Sequence, residues 1–108
     1  MTPEEHFGDL VQELLGTPGV TPPAEDSGGR RSFGSNGLKV DGRIFAMLVR
    51  GRLVVKLPRN RVDELVAAGE GERFETARVM KEWLTLSPSS GLDWLELARE
   101  ALAFVRPA

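Results

Sequence analysis

Two tight turns inside one apolar segment constrain the fold of this chain more than any other feature. Residues 38–57 contain three short apolar runs, which are separated by Asp41-Gly42 and by Arg50-Gly51. Glycine adopts the positive φ angle that two-residue hairpin loops require, and it does so without a steric penalty. The pattern therefore predicts a three-stranded antiparallel meander between Ser32 and Pro58.

Two-residue loops would also fix which residues face each other and share a side of the sheet. The predicted pairs are Val40 with Arg43, Leu38 with Phe45, Val49 with Arg52, Met47 with Val54 and Phe45 with Lys56. One side would then be the buried core face, with Lys39 as its only charge. Its members would be Ile44, Ala46, Leu48, Leu53, Val55 and Leu57.

The opposite side of the predicted meander mixes apolar residues with cations. Its members would be Leu38, Val40, Phe45, Met47, Val49 and Val54, together with Arg43, Arg52 and Lys56. In one interpretation a helix covers the apolar centre and the Arg and Lys stems spread over the edges. In the other, Phe45 and Met47 form an open platform ringed by cations. We favour the covered arrangement, because large exposed apolar patches are rare.

An amphipathic helix is predicted before the meander. Thr2 and Glu5 have the spacing of a capping box, Pro3 occupies the first helical position, and apolar residues recur at helical spacing until Gly16. Residues 16–31 then contain so many Gly and Pro residues that neither helix nor strand is expected there.

After the meander, a short helix is predicted over residues 60–68, with Gly69 in the position that follows a helix. Residues 69–80 are polar and should be irregular, with Phe74 as their anchor in the core. A strand is predicted over residues 80–86 because apolar and polar residues alternate there.

A final helix, capped by Ser89 or Ser90, would have a broad apolar surface. That surface would consist of Trp94, Leu95, Leu97, Ala98, Ala101, Leu102 and Val105. We expect Trp94 to be mostly buried between this helix and the sheet, and the breadth of the surface suggests a contact with another element or a second subunit.

One set of turn residues and apolar positions extends through residues 30–105. It consists of Arg31, Phe33-Gly34, Gly37-Leu38, Val40-Asp41-Gly42, Ile44-Phe45-Ala46, Leu53, Lys56, Val62, Leu65, Ala67-Ala68-Gly69, Phe74 and Lys81-Glu82-Trp83. This pattern resembles the N-terminal domain of the TfoX/Sxy family. The resemblance implies an α+β fold, in which a mostly antiparallel sheet of the meander and at least one further strand carries N- and C-terminal helices. It also implies a regulatory role, since the family's named members are bacterial regulators of natural competence.

Those members carry a second, C-terminal domain. We expect residues 1–108 to form a single domain of the N-terminal type, with a flexible loop at about residues 16–31. No apolar run approaches the roughly 20 residues that cross a bilayer. A cytoplasmic protein without membrane contacts is therefore expected.

Charge is strongly segregated, although the formal net charge is only −2. Residues 30–61 contain nine Lys or Arg residues and a single acid, Asp41, whereas the residues before them contain six acids and no Lys or Arg. A basic sheet between acidic helices can form a nucleic-acid or phosphate site. It can also belong to a molecule that neutralises itself, which we favour because the total charge is near zero.

The sequence offers no catalytic constellation. His6 is the only histidine and cysteine is absent, so neither a zinc site nor an activated nucleophile is predicted. The glycines of residues 28–37 could cradle a phosphate, but a loop entering a strand is the simpler interpretation. Glu70, Glu72 and Glu75 could bind a hard cation, but solvated acids are far commoner than a cage of six to eight oxygens.

We therefore expect a non-enzymatic regulatory or interaction module that acts through protein contacts, as a monomer or homodimer and without a cofactor or metal. The alternative is direct, weak nucleic-acid binding through the basic meander, Arg30 to Arg61. The predicted binding surface consists of Arg30, Arg31, Arg43, Phe45, Arg50, Arg52 and Lys56.

Overall fold

A computed structural model of the chain describes residues 2–22 and 37–106. In chain order, the elements are α1 (Pro3–Leu14), β1 (Val20–Thr21), β2 (Gly37–Val40), β3 (Arg43–Val49), β4 (Arg52–Lys56), α2 (Arg59–Ala67), β5 (Gly71–Glu75), β6 (Val79–Leu86) and α3 (Trp94–Val105). The strands form one antiparallel sheet in the order β1-β2-β3-β4-β6-β5. The predicted α+β class is confirmed.

The two hairpins of the meander are present where the turn residues predict them. Asp41 and Gly42 have φ angles of 50° and 83°, and Arg50 and Gly51 have φ angles of 52° and 77°. Positive φ at both central residues is the conformation of the tight hairpin turn that follows the natural twist of the strands. The predicted pairs Val40–Arg43, Met47–Val54 and Val49–Arg52 are confirmed.

The predicted pairing of Leu38 with Phe45 is wrong. Lys39 faces Ile44, but Leu38 faces Ala46, so the register shifts and Phe45 is the extra residue of a β-bulge. Such a bulge places two successive side chains on nearly the same side of the sheet. Phe45 and Ala46 accordingly both belong to the main core.

The bulge changes the predicted faces of the sheet. Leu38, Val40 and Phe45 were expected on the cation-bearing side, but all three are fully buried in the main core with Leu53 and Val55. Buried residues of all three helices complete this core: Phe7, Leu10, Val11, Leu14, Val62, Leu65, Leu97, Ala98, Ala101, Leu102 and Val105. The open platform of Phe45 and Met47 is therefore excluded.

A smaller cluster lies on the other side of the sheet. Met47 and Val54 are buried there with Phe74, and Val49, Met80 and Trp83 pack against them. Among the described residues, this cluster contains no helical side chain, so the helix expected to cover this side does not contribute to it. Residues of the neighbouring strands β5 and β6 pack beside Met47 and Val54 instead.

The helices follow the predicted signals closely but not completely. Thr2 and Glu5 form the reciprocal bonds of a capping box, and α1 ends at Leu14, two residues before Gly16. The helix predicted over 60–68 is α2, which begins and ends one residue earlier, and Gly69 follows it with a φ angle of 78°.

The predicted cap of the last helix is wrong. Asp93, not Ser89 or Ser90, caps α3 by accepting a hydrogen bond from the Leu95 amide at 2.9 Å. Ser90 is engaged in the preceding loop, where its hydroxyl donates to Glu70 at 2.7 Å.

Trp94 lies in the first turn of α3, is partly buried and packs against the main core. Its ring stacks on that of His6, with centroids 4.0 Å apart and planes at 12°.

Two strands were not predicted. Residues 71–75 form β5 although Phe74 is their only apolar side chain, because they pair with β6. Val20 and Thr21 form β1 within the segment expected to lack strands, and Asp41 donates its amide to Gly19 beside them. Residues 23–31 of that expected loop lie outside the described residues.

Candidate functional site

The predicted binding surface does not form one patch. Phe45 is in the core, and Arg30 and Arg31 lie outside the described residues. Arg43 and Arg50 are exposed at opposite ends of β3. A strand rises about 3.3 Å per residue, so these ends are roughly 20 Å apart. Within the described residues, the meander therefore distributes these cations along the strands.

Several arginines of the described chain are paired with carboxylates. Arg52 lies 3.4 Å from Glu72, and Arg61 donates from Nε to Glu100 at 3.0 Å. Arg73 donates to Asp63. The hydrogen bonds to Glu100 raise the pKa of Arg61 above its ordinary value. Arg52 and Arg61 of the basic segment are thus neutralised by neighbouring acids.

A different group of cations lines a cleft of about 580 Å³ at one end of the sheet. We call it the basic cleft, and it is lined by Lys56, Arg59, Arg78, Val79, Met80, Lys81, Glu82 and Trp83. It combines the end of β4, the first residue of α2 and the first half of β6. Only Lys56 belongs to the surface that the sequence predicted.

The cleft forms because β4 ends before its neighbour does. Lys56 pairs with Trp83, and the Leu57 amide donates to the Glu82 carbonyl at 3.0 Å. Pro58 follows, has no amide hydrogen and leads directly into α2. Residues 79–81 of β6 therefore extend past the end of β4, and in the described chain no strand pairs with them on that side.

The pairing of β5 with β6 is irregular at the same place. Arg73 and Phe74 are adjacent on β5, and they face Leu84 and Met80 of β6. These two partners are separated by three residues of β6 that have no partner on β5. Register shifts of this kind bend a strand and change the direction of its side chains. Lys81, Glu82 and Trp83 make up this bent stretch and line the cleft.

The charged side chains of the basic cleft are mainly positive. Within the described residues, none of its four cations has a carboxylate within 4.0 Å. The Lys56 ammonium lies 5.7 Å from the centre of the Trp83 ring, a favourable cation–π distance. Glu82 is the one acid of the lining. The cleft therefore brings four unpaired cations together around a single acid.

The predicted binding surface omitted Arg59, Arg78, Lys81 and Trp83, although Arg59 belongs to the basic segment of residues 30–61. A signal was present, since Lys81 and Trp83 are two residues apart and share one side of a regular strand. Arg78 and Lys81 lie beyond the basic segment of residues 30–61, and only the pairing of β4 with β6 brings them to Lys56.

The remaining sequence candidates are not brought together. His6 stacks on Trp94, Glu70 accepts from Ser90, and Glu72 pairs with Arg52. Within residues 2–22 and 37–106, no three His, Asp or Glu side chains are arranged to hold a metal ion. In the same ranges, no helix has the length and apolar character of a membrane span.

Comparison with known proteins identifies the family. The TfoX N-terminal domain family matches residues 22–105, which is most of the 108-residue chain. This range includes the meander, α2, α3 and every residue that lines the basic cleft. Curated proteins and solved structures gave no significant match. The match over most of its length, on the fold that the resemblance implied, shows that the chain belongs to the TfoX N-terminal domain family.

Proposed function

We propose that this chain is a non-enzymatic regulatory module that works by binding another protein. The observation that carries the proposal is the composition of the basic cleft, where arginines stand beside Met80 and Trp83. Tryptophan, methionine and arginine are among the residues enriched in protein interfaces. The regulatory part of the proposal follows from the family, whose named members regulate natural competence.

The distribution of cations favours a protein partner over a nucleic acid. The meander arginines are divided between two ends of the sheet, and Arg52 is paired with Glu72. A nucleic-acid interface needs cations that follow the phosphate backbone over a broad surface. The formal net charge of −2 also gives no long-range attraction to a polyanion.

The non-enzymatic part rests on the side chains that would have to react. Serine hydroxyls need a base to become nucleophiles, and the only histidine stacks on Trp94. The serines with bonds in the described chain, Ser87, Ser89 and Ser90, contact each other, the backbone or Glu70.

Affinity capture with the native chain tests the proposal. We expect a cellular protein to be retained at physiological salt and, once purified, to bind the chain saturably. Retention of nucleic acid in place of protein, removed by nuclease, would contradict the proposal, as would a substrate consumed by the purified chain.

A further inference from the structure

We propose that the basic cleft binds an extended acidic segment of the protein partner, which lies beside residues 79–81 of β6. The inference rests on the proposed function, because it names the site and the chemistry of the partner. Charge, apolar surface and an open strand edge each contribute to it, and they coincide at this one place in the described chain.

The charge of the cleft is complementary to carboxylates. Arg59, Arg78 and Lys81 are exposed, and no acid of the described residues pairs with them. The first turn of α2 contains no acid, and Pro58 at its N-cap offers no side-chain acceptor. An acidic segment would therefore meet unpaired guanidinium and ammonium groups, whose hydrogen bonds to carboxylates are stronger than neutral ones.

The apolar surface of the cleft supplies anchors between the charges. Val79 has an exposed fraction of 48%, the highest among the large apolar side chains of the described residues. Met80 and Trp83 are partly exposed beside it. A volume of about 580 Å³ accommodates a few side chains of a bound segment. We infer that the segment alternates acidic residues with apolar ones.

The open edge of β6 determines the conformation of the segment. Val79 and Met80 pair with β5 on one side. Because β4 ends at Lys56, residues 79–81 have no described strand on the other side. Extended peptides bind such edges by adding a strand, with backbone hydrogen bonds for affinity and pockets for alternate side chains. The bound segment would continue the line of β4, antiparallel to β6.

A labelled peptide tests the inference directly. The probe alternates Glu with Val and Phe over about eight residues, a common strand length, and its binding is followed by fluorescence anisotropy. We expect saturable binding that weakens as salt is added. A probe with Lys in place of every Glu should not bind.

Two double variants with equal charge changes locate the site. Arg78→Glu with Lys81→Glu reverses two cations of the cleft, and we expect it to weaken binding by about tenfold or more. Arg50→Glu with Arg99→Glu reverses two exposed cations outside the cleft, and we expect a change below about twofold. Circular dichroism and thermal melting should show both variants folded. Equal weakening in both, or none in the cleft variant, would overturn the inference.

Backbone methylation tests the strand edge without altering the protein. Methylating alternate amides on one side of the probe should abolish binding, whereas methylating those on the other side should leave it, since only one side of an added strand faces β6. Equal effects of both probes would overturn strand addition.

Competition experiments and binding of the native partner distinguish an acidic segment from phosphate groups, and the cleft from another binding site on the chain. Full competition by inorganic phosphate or by a short oligonucleotide would assign the cleft to phosphate groups and overturn the acidic segment. A partner that binds the Arg78→Glu, Lys81→Glu variant unchanged would overturn this inference while leaving the proposed function intact. Absence of any protein partner for the native chain would instead refute the proposed function.

Discussion

Phe45 shows how a single residue sets the packing of this sheet. It is the extra residue of the bulge between β2 and β3, and its side chain has no solvent exposure. The bulge also turns Leu38 and Val40 toward the helices, so a side chain expected on a binding surface belongs to the core. Its contribution is therefore to stability.

Replacing Phe45 with alanine should destabilise the protein by about 3 to 5 kcal/mol, because a large cavity would remain in the main core. Phe45→Leu should cost less, since it keeps most of the side-chain volume. Urea denaturation followed by circular dichroism measures both.

Phe104→Ala is the matched control, because Phe104 is 39% exposed on α3. Its cost should stay within about 0.5 kcal/mol, which is typical of surface changes. Equal losses for the two phenylalanines would place Phe45 outside the core.

At the scale of elements, the β2–β3 hairpin depends on a backbone conformation that only glycine adopts easily. Gly42 has a φ angle of 83°, and a Cβ atom added to it would meet no atom within 4 Å. Gly8 in α1 also has open space around its missing Cβ atom, but it lies in a helix. Because neither position is crowded, substitutions at the two glycines differ only in whether the backbone conformation suits a residue with a Cβ atom.

Gly42→Ala should destabilise the protein by about 1 to 2 kcal/mol, the cost of the left-handed conformation for a residue with a Cβ atom. Gly8→Ala should stabilise it by up to about 1 kcal/mol, through helix propensity. Thermal or urea unfolding of the two variants measures the sign of each change in the free energy of unfolding. A loss at both positions would show that crowding, rather than backbone conformation, determines the effect.

The elements differ in how far the sequence could predict them. Asp41-Gly42 and Arg50-Gly51 are local signals with a direct conformational meaning, so both hairpins are confirmed. The bulge at Phe45 was not predictable, because the surrounding residues are apolar enough to suit either face. β5 was missed because its stability comes from pairing with β6, which no local pattern encodes.

Only part of the candidate site was predicted, because local sequence patterns do not encode long-range strand pairing. Lys56 was included because it belongs to the meander, where charge and turns are visible in one stretch of sequence. Arg59, Arg78 and Lys81 reach it only through the antiparallel pairing of β4 with β6 and the turn into α2 at Pro58. Such long-range contacts place residues together that are distant in the chain.

For the whole molecule, the balance of charges limits the partners that long-range attraction can recruit. Acids on α2, β5 and α3 pair with Arg61, Arg52 and other arginines of the described chain, and the formal total is −2. We therefore expect negligible binding to duplex DNA or RNA near physiological salt. Electrophoretic mobility and anisotropy titrations at several salt concentrations measure this.

The triple variant Arg43→Ala, Arg50→Ala, Arg52→Ala makes that expectation refutable. If the meander bound DNA, affinity would fall with salt with a log–log slope of roughly −0.9 per neutralised phosphate. The variant would then have a slope shallower by up to about three units. A micromolar or tighter complex that this variant abolishes would establish the meander as a nucleic-acid surface.

The short pairing of β1 with β2 bears on how well the chain tolerates insertions between these two strands. Thr21 faces Lys39, so the described residues on either side of positions 23–36 lie next to each other in the sheet. For a loop with fixed ends, each doubling of length costs only about 0.6 kcal/mol in closure entropy. We therefore expect that residues inserted between Thr21 and Gly37 leave the meander and its register unchanged.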